Sequence, residues 1–97
     1  MPHYISLIRY TQKGVENLKD SPKRVEATKK AFEAAGGKLK ALYWTFGQYD
    51  AVAIGEFPDD ETGLRVGLAG AMQGYVRGET LRAFTEEEFR KAIASVS

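Results

Sequence analysis

The longest apolar segment of the chain runs from Leu39 to Phe57. Its sequence, LKALYWTFGQYDAVAIGEF, carries apolar side chains at both odd and even positions on either side of Gly47 and Asp50. A strand that is half exposed would be polar at every second position. The pattern therefore predicts two antiparallel strands, joined by a tight turn, at the centre of a sheet that is covered on both faces.

Two more segments are predicted to be strands. His3–Thr11 is rich in Tyr and Ile and again carries apolar residues on both parities. Val76–Phe84 alternates between an apolar face that contains Leu81 and a second face that contains Thr80 and Arg82. The sheet is thus expected to have four strands.

Helical periodicity separates these strands. Ser21-Pro22 is typical of a helix start, with Ser as the N-cap, and Gly36-Gly37 is typical of a helix end. A weaker pattern predicts a helical turn within Gln12–Leu18. The next long helix follows Pro58, with acidic residues at its positive end, and is expected to end at Gly74.

The helix before Gly74 combines an apolar face with three interior glycines. The apolar face contains Leu64, Gly67, Leu68, Ala71 and Met72. Each glycine costs about 1 kcal/mol relative to alanine in a helix interior. We therefore expect this helix to approach the sheet, or a second chain, closely.

A last short helix is predicted at the C-terminal end. Thr85 and Glu88 form a capping box, and Phe84 and Phe89 have the spacing of a hydrophobic staple. The apolar stripe of this helix contains Phe89, Ile93 and Val96.

The order of the elements predicts an α+β fold, a ferredoxin-like βαββαβ domain with an extra C-terminal helix, as one domain over residues 1–97. Right-handed crossovers place both main helices on one face of the sheet. The other face is expected to expose Ile8, Tyr10 and either Tyr43 or Trp44. Because an apolar patch of that size usually marks an interface, we expect a homodimer in which two sheets enclose a cavity, or a higher oligomer.

Composition narrows the classes of function. The 97 residues have a formal net charge of +1, so no long-range field attracts nucleic acid. There is no cysteine, and no apolar run is long enough to span a membrane. The first residues lack the basic leader of a signal peptide, and we expect a cytoplasmic protein.

Seven short motifs occur along the chain. They are Gly47-Gln48-Tyr49-Asp50, Ser21-Pro22-Lys23-Arg24, Gly36-Gly37-Lys38, Tyr43-Trp44-Thr45, Pro58-Asp59-Asp60, Arg77-Gly78-Glu79-Thr80 and Arg82-Ala83-Phe84. As a set they resemble the GYD family of small bacterial proteins. The resemblance covers almost the whole chain and implies a dimeric α+β barrel. It implies no particular reaction, because the wider superfamily includes cofactor-independent monooxygenases, isomerases, haem-degrading enzymes and ligand-sensing domains.

Three titratable residues are candidates for catalysis. Asp50 is either a turn residue, which is the favoured interpretation, or a carboxylate at the mouth of a pocket. Arg82 would pair with Asp50, Glu56 or Glu79 of either chain, or hold a substrate carboxylate. His3 is the one histidine, and histidine is the residue type whose reference pKa, about 6.5, suits proton transfer.

A second set of residues is a candidate ligand-binding surface. It consists of Tyr10, Tyr43, Trp44, Tyr49 and Thr80. Aromatic rings of this kind either pack in the core and dimer interface or stack on a flat organic ligand. Neither a metal nor a cofactor is predicted, because the chain has no ligand-spaced cluster and no phosphate-binding glycine loop.

These observations leave three hypotheses. The first is a dimeric barrel whose cavity binds a small apolar or aromatic molecule. The second is a cofactor-independent monooxygenase or isomerase acting on an aromatic or lactone-like substrate. The third is a structural oligomerisation module with a filled cavity.

Overall fold

The chain forms an antiparallel sheet with helices on one face in the computed structural model, which describes residues 1–96. The strands have the order β2-β3-β1-β4. A 3-10 turn at Leu18–Asp20 precedes α2. The strands are β1 His3–Tyr10, β2 Lys38–Trp44, β3 Ala51–Glu56 and β4 Val76–Ala83, and the helices are α1 Gln12–Glu16, α2 Ser21–Ala34, α3 Asp60–Met72 and α4 Glu86–Ala94.

Strand β1 lies at the centre and pairs antiparallel with both β3 and β4. Strand β2 completes the sheet beside β3, with an irregularity between Leu39 and Ala41. This is the strand order of a ferredoxin-like domain, and the predicted fold class is confirmed. The pairing of two such sheets in a dimer stays a prediction.

Local sequence signals define the helix ends. Asp59 caps α3 by accepting the N–H of Thr62 at 2.8 Å, and the capping box of Thr85 and Glu88 is complete. Gly74 follows α3 in the left-handed region, as predicted. The predicted N-cap Ser21 is wrong: the 3-10 turn runs directly into the helix, so that Ser21 is its first residue.

The helices cover the face of the sheet that contains Tyr4 and Gly55. A β-carbon at Gly55 would lie only 2.7 Å from Phe32 of α2, so this position points at the helices. The register places Ile8 and Tyr10 on the same face. The expectation that Ile8 and Tyr10 lie on the helix-free face is therefore wrong by one residue in register.

The opposite face of the sheet, here called the bare face, has no helix over it. Its centre is apolar, as predicted, but it is built from the alternate set of residues. These are Ile5, Leu7, Ala41, Tyr43, Val52, Ile54, Leu81 and Ala83. Of the two candidate aromatics, Tyr43 lies on the bare face and Trp44 on the covered face, because they pair with Val52 and Ala51 respectively.

The hydrophobic core is small and lies under the first half of α3 and the end of α2. Within residues 1–96, the buried apolar side chains are Ala51, which is 3% exposed, and Phe57, which is 4% exposed. The Phe57 ring packs against Phe32 at 4.6 Å and Tyr4 at 5.7 Å between centroids. This aromatic cluster joins α2, β1 and the β3–α3 loop.

The largest apolar side chains of α3 point away from the sheet. Leu64, Leu68 and Met72 are 63%, 55% and 86% exposed. Thr62 is buried and Gly63 is partly buried, and a β-carbon at Gly63 would lie 3.1 Å from Phe57. The expected close approach therefore holds at Gly63. A β-carbon at Gly67 or Gly70 would meet no described neighbour within 4 Å, so these glycines do not approach the sheet, and their close approach to a second chain stays a prediction.

Candidate functional site

The predicted site residues fall into two groups at opposite ends of β1. Asp50, Tyr10, Trp44 and Tyr49 lie near the end of that strand, because the N–H of Asp50 donates to the carbonyl of Ile8. His3 lies at its beginning, beside Ala83 of β4. The two ends of an eight-residue strand are about 23 Å apart.

Asp50 stabilises the β2–β3 connection. Its carboxylate accepts the backbone N–H of Tyr10 at 2.9 Å, and its carbonyl accepts the N–H of Thr45 at 2.9 Å. The side chain is therefore engaged in tying the connection to the central strand. This geometry agrees with the turn interpretation of the GYD motif.

Aromatic side chains surround this connection. The Trp44 indole donates a hydrogen bond to the Tyr10 hydroxyl at 2.9 Å. The guanidinium of Arg9 lies 4.7 Å from the Tyr49 ring centroid and also donates to the carbonyl of Gln48 at 2.9 Å. Phe46 is fully exposed. Together these residues form what we call the hairpin tip: Arg9, Trp44, Phe46 and Tyr49.

A shallow groove adjoins the hairpin tip between α2 and β2. It has a volume of about 280 Å³ and is open to solvent. Five apolar residues and two lysines line it. The lining consists of Val25, Lys29, Leu39, Lys40, Ala41, Leu42 and Trp44.

Arg82 belongs to a polar cluster on the covered face. Its guanidinium lies 3.4 Å from the carboxylate of Asp60, which also accepts the Tyr4 hydroxyl. Burial, followed by the hydrogen bond to Asp60, raises the pKa of Tyr4 to about 12. Within the single chain the partners expected for Arg82 were therefore wrong, because Asp60 takes that role. Asp60 lies in the first turn of α3, and its position was visible in the sequence, but its register against Tyr4 was not.

Thr80 lies on the same face as Arg82. Its hydroxyl is 3.1 Å from that of Ser6, so the two side chains form a cross-strand hydrogen bond. Such pairs are common stabilising contacts in sheets. Thr80 is therefore well placed for packing between β1 and β4.

His3 lies on the opposite face of the sheet from Arg82. Its Nε2 is 2.8 Å from the carboxylate of Glu56, which Lys40 also approaches at 3.4 Å. Although burial opposes the shift, the hydrogen bond from Lys40 holds the pKa of Glu56 below its usual range. A catalytic centre made of Asp50, Arg82 and His3 would need these residues together, and a single chain separates them.

A metal site and a membrane-spanning helix are both absent from residues 1–96. No group of three or more His, Cys, Asp or Glu side chains among them is arranged to hold a metal ion. None of the described helices combines the length and the apolar character needed to cross a membrane.

Comparison with known proteins agrees with this fold. A crystal structure of TTHA0845 from Thermus thermophilus superposes with a TM-score of 0.54 at 29% identity, covering 88% of this chain and 95% of that one. A relative from the same organism, named glutamine synthetase and cystathionine beta-lyase binding protein, is 34% identical over 84 residues, which is 86% of this chain and 88% of the relative. The GYD domain model matches residues 4–93, and the chain therefore belongs to the GYD domain family.

Proposed function

We propose that this GYD-domain chain is a protein-binding module that works as a homodimer, with the two bare faces packed against each other. The accessible surface of the chain is 7098 Å². A folded monomer of 10.7 kDa is expected to expose about 5,500 Å². The excess, about 1,600 Å² per chain, is in the range that a permanent homodimer covers.

The hairpin tip is the surface at which we expect a protein partner to bind. Phe46 is fully exposed, Trp44 is more than half exposed, and the guanidinium of Arg9 lies over the Tyr49 ring. Tryptophan, tyrosine and arginine are the residues most enriched at the energetic centres of protein interfaces. A fully exposed Phe among them would gain free energy when a partner covers it.

The relative from Thermus thermophilus indicates which class of protein the partner would belong to. Its name describes binding to glutamine synthetase and to cystathionine beta-lyase. We propose that this chain likewise binds an enzyme of amino-acid metabolism through the hairpin tip. The titratable residues support binding rather than catalysis, because Asp50 and Arg82 are engaged in separate local contacts.

The test uses purified glutamine synthetase and cystathionine beta-lyase from the same organism as this chain. Binding to at least one of them is expected by surface plasmon resonance, and Phe46→Ser should weaken it by at least about 30-fold, as at an interface hot spot. Phe84→Ser is the control, since Phe84 is also exposed and follows Ala83, which pairs with His3 at the opposite end of β1 from the tip. Absence of binding to both enzymes, or equal loss in the control, would contradict the proposal.

A second candidate is a small-molecule site between the two bare faces. Its support is the apolar centre of the bare face with Tyr43 at its edge, 62% exposed in the single chain. Thermal-shift screening with apolar and aromatic metabolites should then raise the melting temperature, and Tyr43→Ala should abolish the rise. A dimer interface completely filled by side chains would rule this candidate out.

A further inference from the structure

The outer stripe of α3 is an apolar surface with no partner in its own chain among residues 1–96. Leu64, Leu68 and Met72 are spaced by four residues and follow one side of the helix. They form a shallow groove with Glu61, Arg65 and Ala69. Because these side chains point away from the sheet, packing of the bare faces would leave them exposed.

Helix α4 carries a second unpartnered stripe. Phe89 and Ile93 are 61% and 54% exposed, and Val96, just beyond the helix, is exposed as well. Within residues 1–96, no other element packs extensively on α4. An isolated helix of nine residues is marginal in water, so α4 depends on a tertiary or quaternary contact.

We propose that the stripe of α4 docks on the outer stripe of α3 in a second copy of this chain. The two stripes match in spacing, since Phe89, Ile93 and Val96 repeat at four and three residues and the α3 stripe repeats at four. Each chain contains one of each stripe, so an exchange between copies leaves neither uncovered. Part of the surface excess of about 1,600 Å² is thereby buried.

Docking within the same chain is sterically excluded. The outer stripe lies on the far side of α3 from the sheet, and a helix is about 10–12 Å wide. Only Phe84 and Thr85 connect the end of β4 to α4. The three Cα–Cα steps from Ala83 to Glu86 span at most about 11 Å, which is too short to carry Phe89 around α3 to its outer side.

Charge favours an antiparallel arrangement of the two helices. The first turn of α4 contains Glu86, Glu87 and Glu88, and α3 begins with Asp59, Asp60 and Glu61. A parallel arrangement would bring these six acids side by side, which like-charge repulsion disfavours. In the antiparallel arrangement the acids of α4 lie near the uncharged C-terminal end of α3, and Ile93 lies opposite Leu68.

Disulfide trapping tests this pairing directly, because the chain has no cysteine of its own. Leu68→Cys and Ile93→Cys are made in separate full-length chains that differ by a tag, then mixed and mildly oxidised. A disulfide-linked species with one chain of each kind is expected. The control is Lys91→Cys, on the opposite side of α4, which should give at least ten times less of the linked species with Leu68→Cys.

The inference shares with the proposed function only the need for a second copy. If the wild-type protein is a dimer but Leu68→Cys and Ile93→Cys do not link, or Lys91→Cys links equally well, the α4 pairing is wrong and the bare-face dimer stands. If the cysteine variants link but Ile54→Lys, a change on the bare face, leaves the dimer intact, the α4 pairing stands and the bare-face dimer is contradicted.

A second measurement tests the same pairing if the cysteine variants do not fold. Ile93→Glu should weaken self-association at least tenfold in sedimentation velocity while the circular dichroism of the sheet is unchanged. Lys91→Glu is the matched control and should leave association unchanged. Equal association of the Ile93→Glu variant and the wild type would overturn the inference.

Discussion

The two ends of α3 pack very differently. At its beginning, Gly63 rests on the aromatic cluster of Phe57, Phe32 and Tyr4, and the backbone comes close to side chains of the sheet. Toward its end, Gly67 faces open space and the large side chains of the helix point outward. One helix thus belongs to a monomer core at one end and to an exposed surface at the other.

This difference indicates where the stability of the fold resides. The region around Phe57 contains the aromatic contacts that hold α2, β1 and β3 together. The region of β4, the second half of α3 and α4 is held mainly by sheet hydrogen bonds and helix caps. A second chain would give the region of β4 and α4 the apolar contacts that Phe57 provides around α2 and β1.

The largest effect is expected from Phe57→Ala, which removes the centre of the packed region. Truncating a buried phenylalanine should lower the free energy of unfolding by about 3–5 kcal/mol. Phe46→Ala is the control: the residue type is the same but the side chain is fully exposed, so a change within about 0.5 kcal/mol is expected. Urea unfolding at fixed protein concentration measures the free energy of unfolding of both variants. Similar losses in the two would contradict the difference between the packed region and the exposed surface.

Ile54→Lys tests the bare face as an interface. Leaving a lysine unpaired between two apolar sheets costs about 3–5 kcal/mol, so the dimer dissociation constant should rise at least about 100-fold. Sedimentation equilibrium gives this constant. Lys23→Glu, an exposed charge change on α2, should leave the constant unchanged. An unaltered dimer in the Ile54→Lys variant would show that this face is not the contact.

Asp50→Ala should cost about 1–3 kcal/mol of stability, because it leaves the N–H of Tyr10 without its acceptor. Asp50→Asn should cost less, since the amide oxygen can still accept that hydrogen bond. The order of the two losses in thermal unfolding identifies a structural role. Wild-type stability in both variants would instead favour a role for the carboxylate in binding or catalysis.

The smallest effect concerns Tyr4. Its pKa is raised to about 12 in the fold, compared with 10.0 for an ordinary tyrosine. A raised pKa means that the folded state favours the neutral phenol. The stability it contributes is therefore present below pH 10 and is lost as the pH rises toward 12. Comparison of wild type and Tyr4→Phe by ultraviolet titration should assign an absorbance change near pH 12 to Tyr4, and its appearance near pH 10 would contradict the hydrogen bond between Tyr4 and Asp60.

The sequence predicted where the strands and helices lie better than it predicted which side chains lie on each face of the sheet. Strand and helix periods, the capping box at Thr85 and the glycine stop at Gly74 are local signals, and the structure confirms them. The face on which a residue lies depends on strand register, and β1 carries apolar residues on both parities, so its pattern alone does not select a face. Ile8 and Tyr10 were consequently placed on the wrong side.

The sequence alone also does not show which charged residues pair with each other. Arg82 had several acids within reach by chain order, and only the docking of α3 on Tyr4 selects Asp60. The direction of the α3 stripe was left open for a related reason. Amphipathic periodicity shows that Leu64, Leu68 and Met72 share one side, but it does not show whether that side meets its own sheet or another chain.

Native mass spectrometry of the intact protein across a range of concentrations tests most directly whether one chain is sufficient for this fold. The account predicts a species of twice the 10.7 kDa chain mass, or a higher multiple, that persists at nanomolar concentration. A single-chain mass at every concentration, with the strand signal of circular dichroism intact, would contradict it.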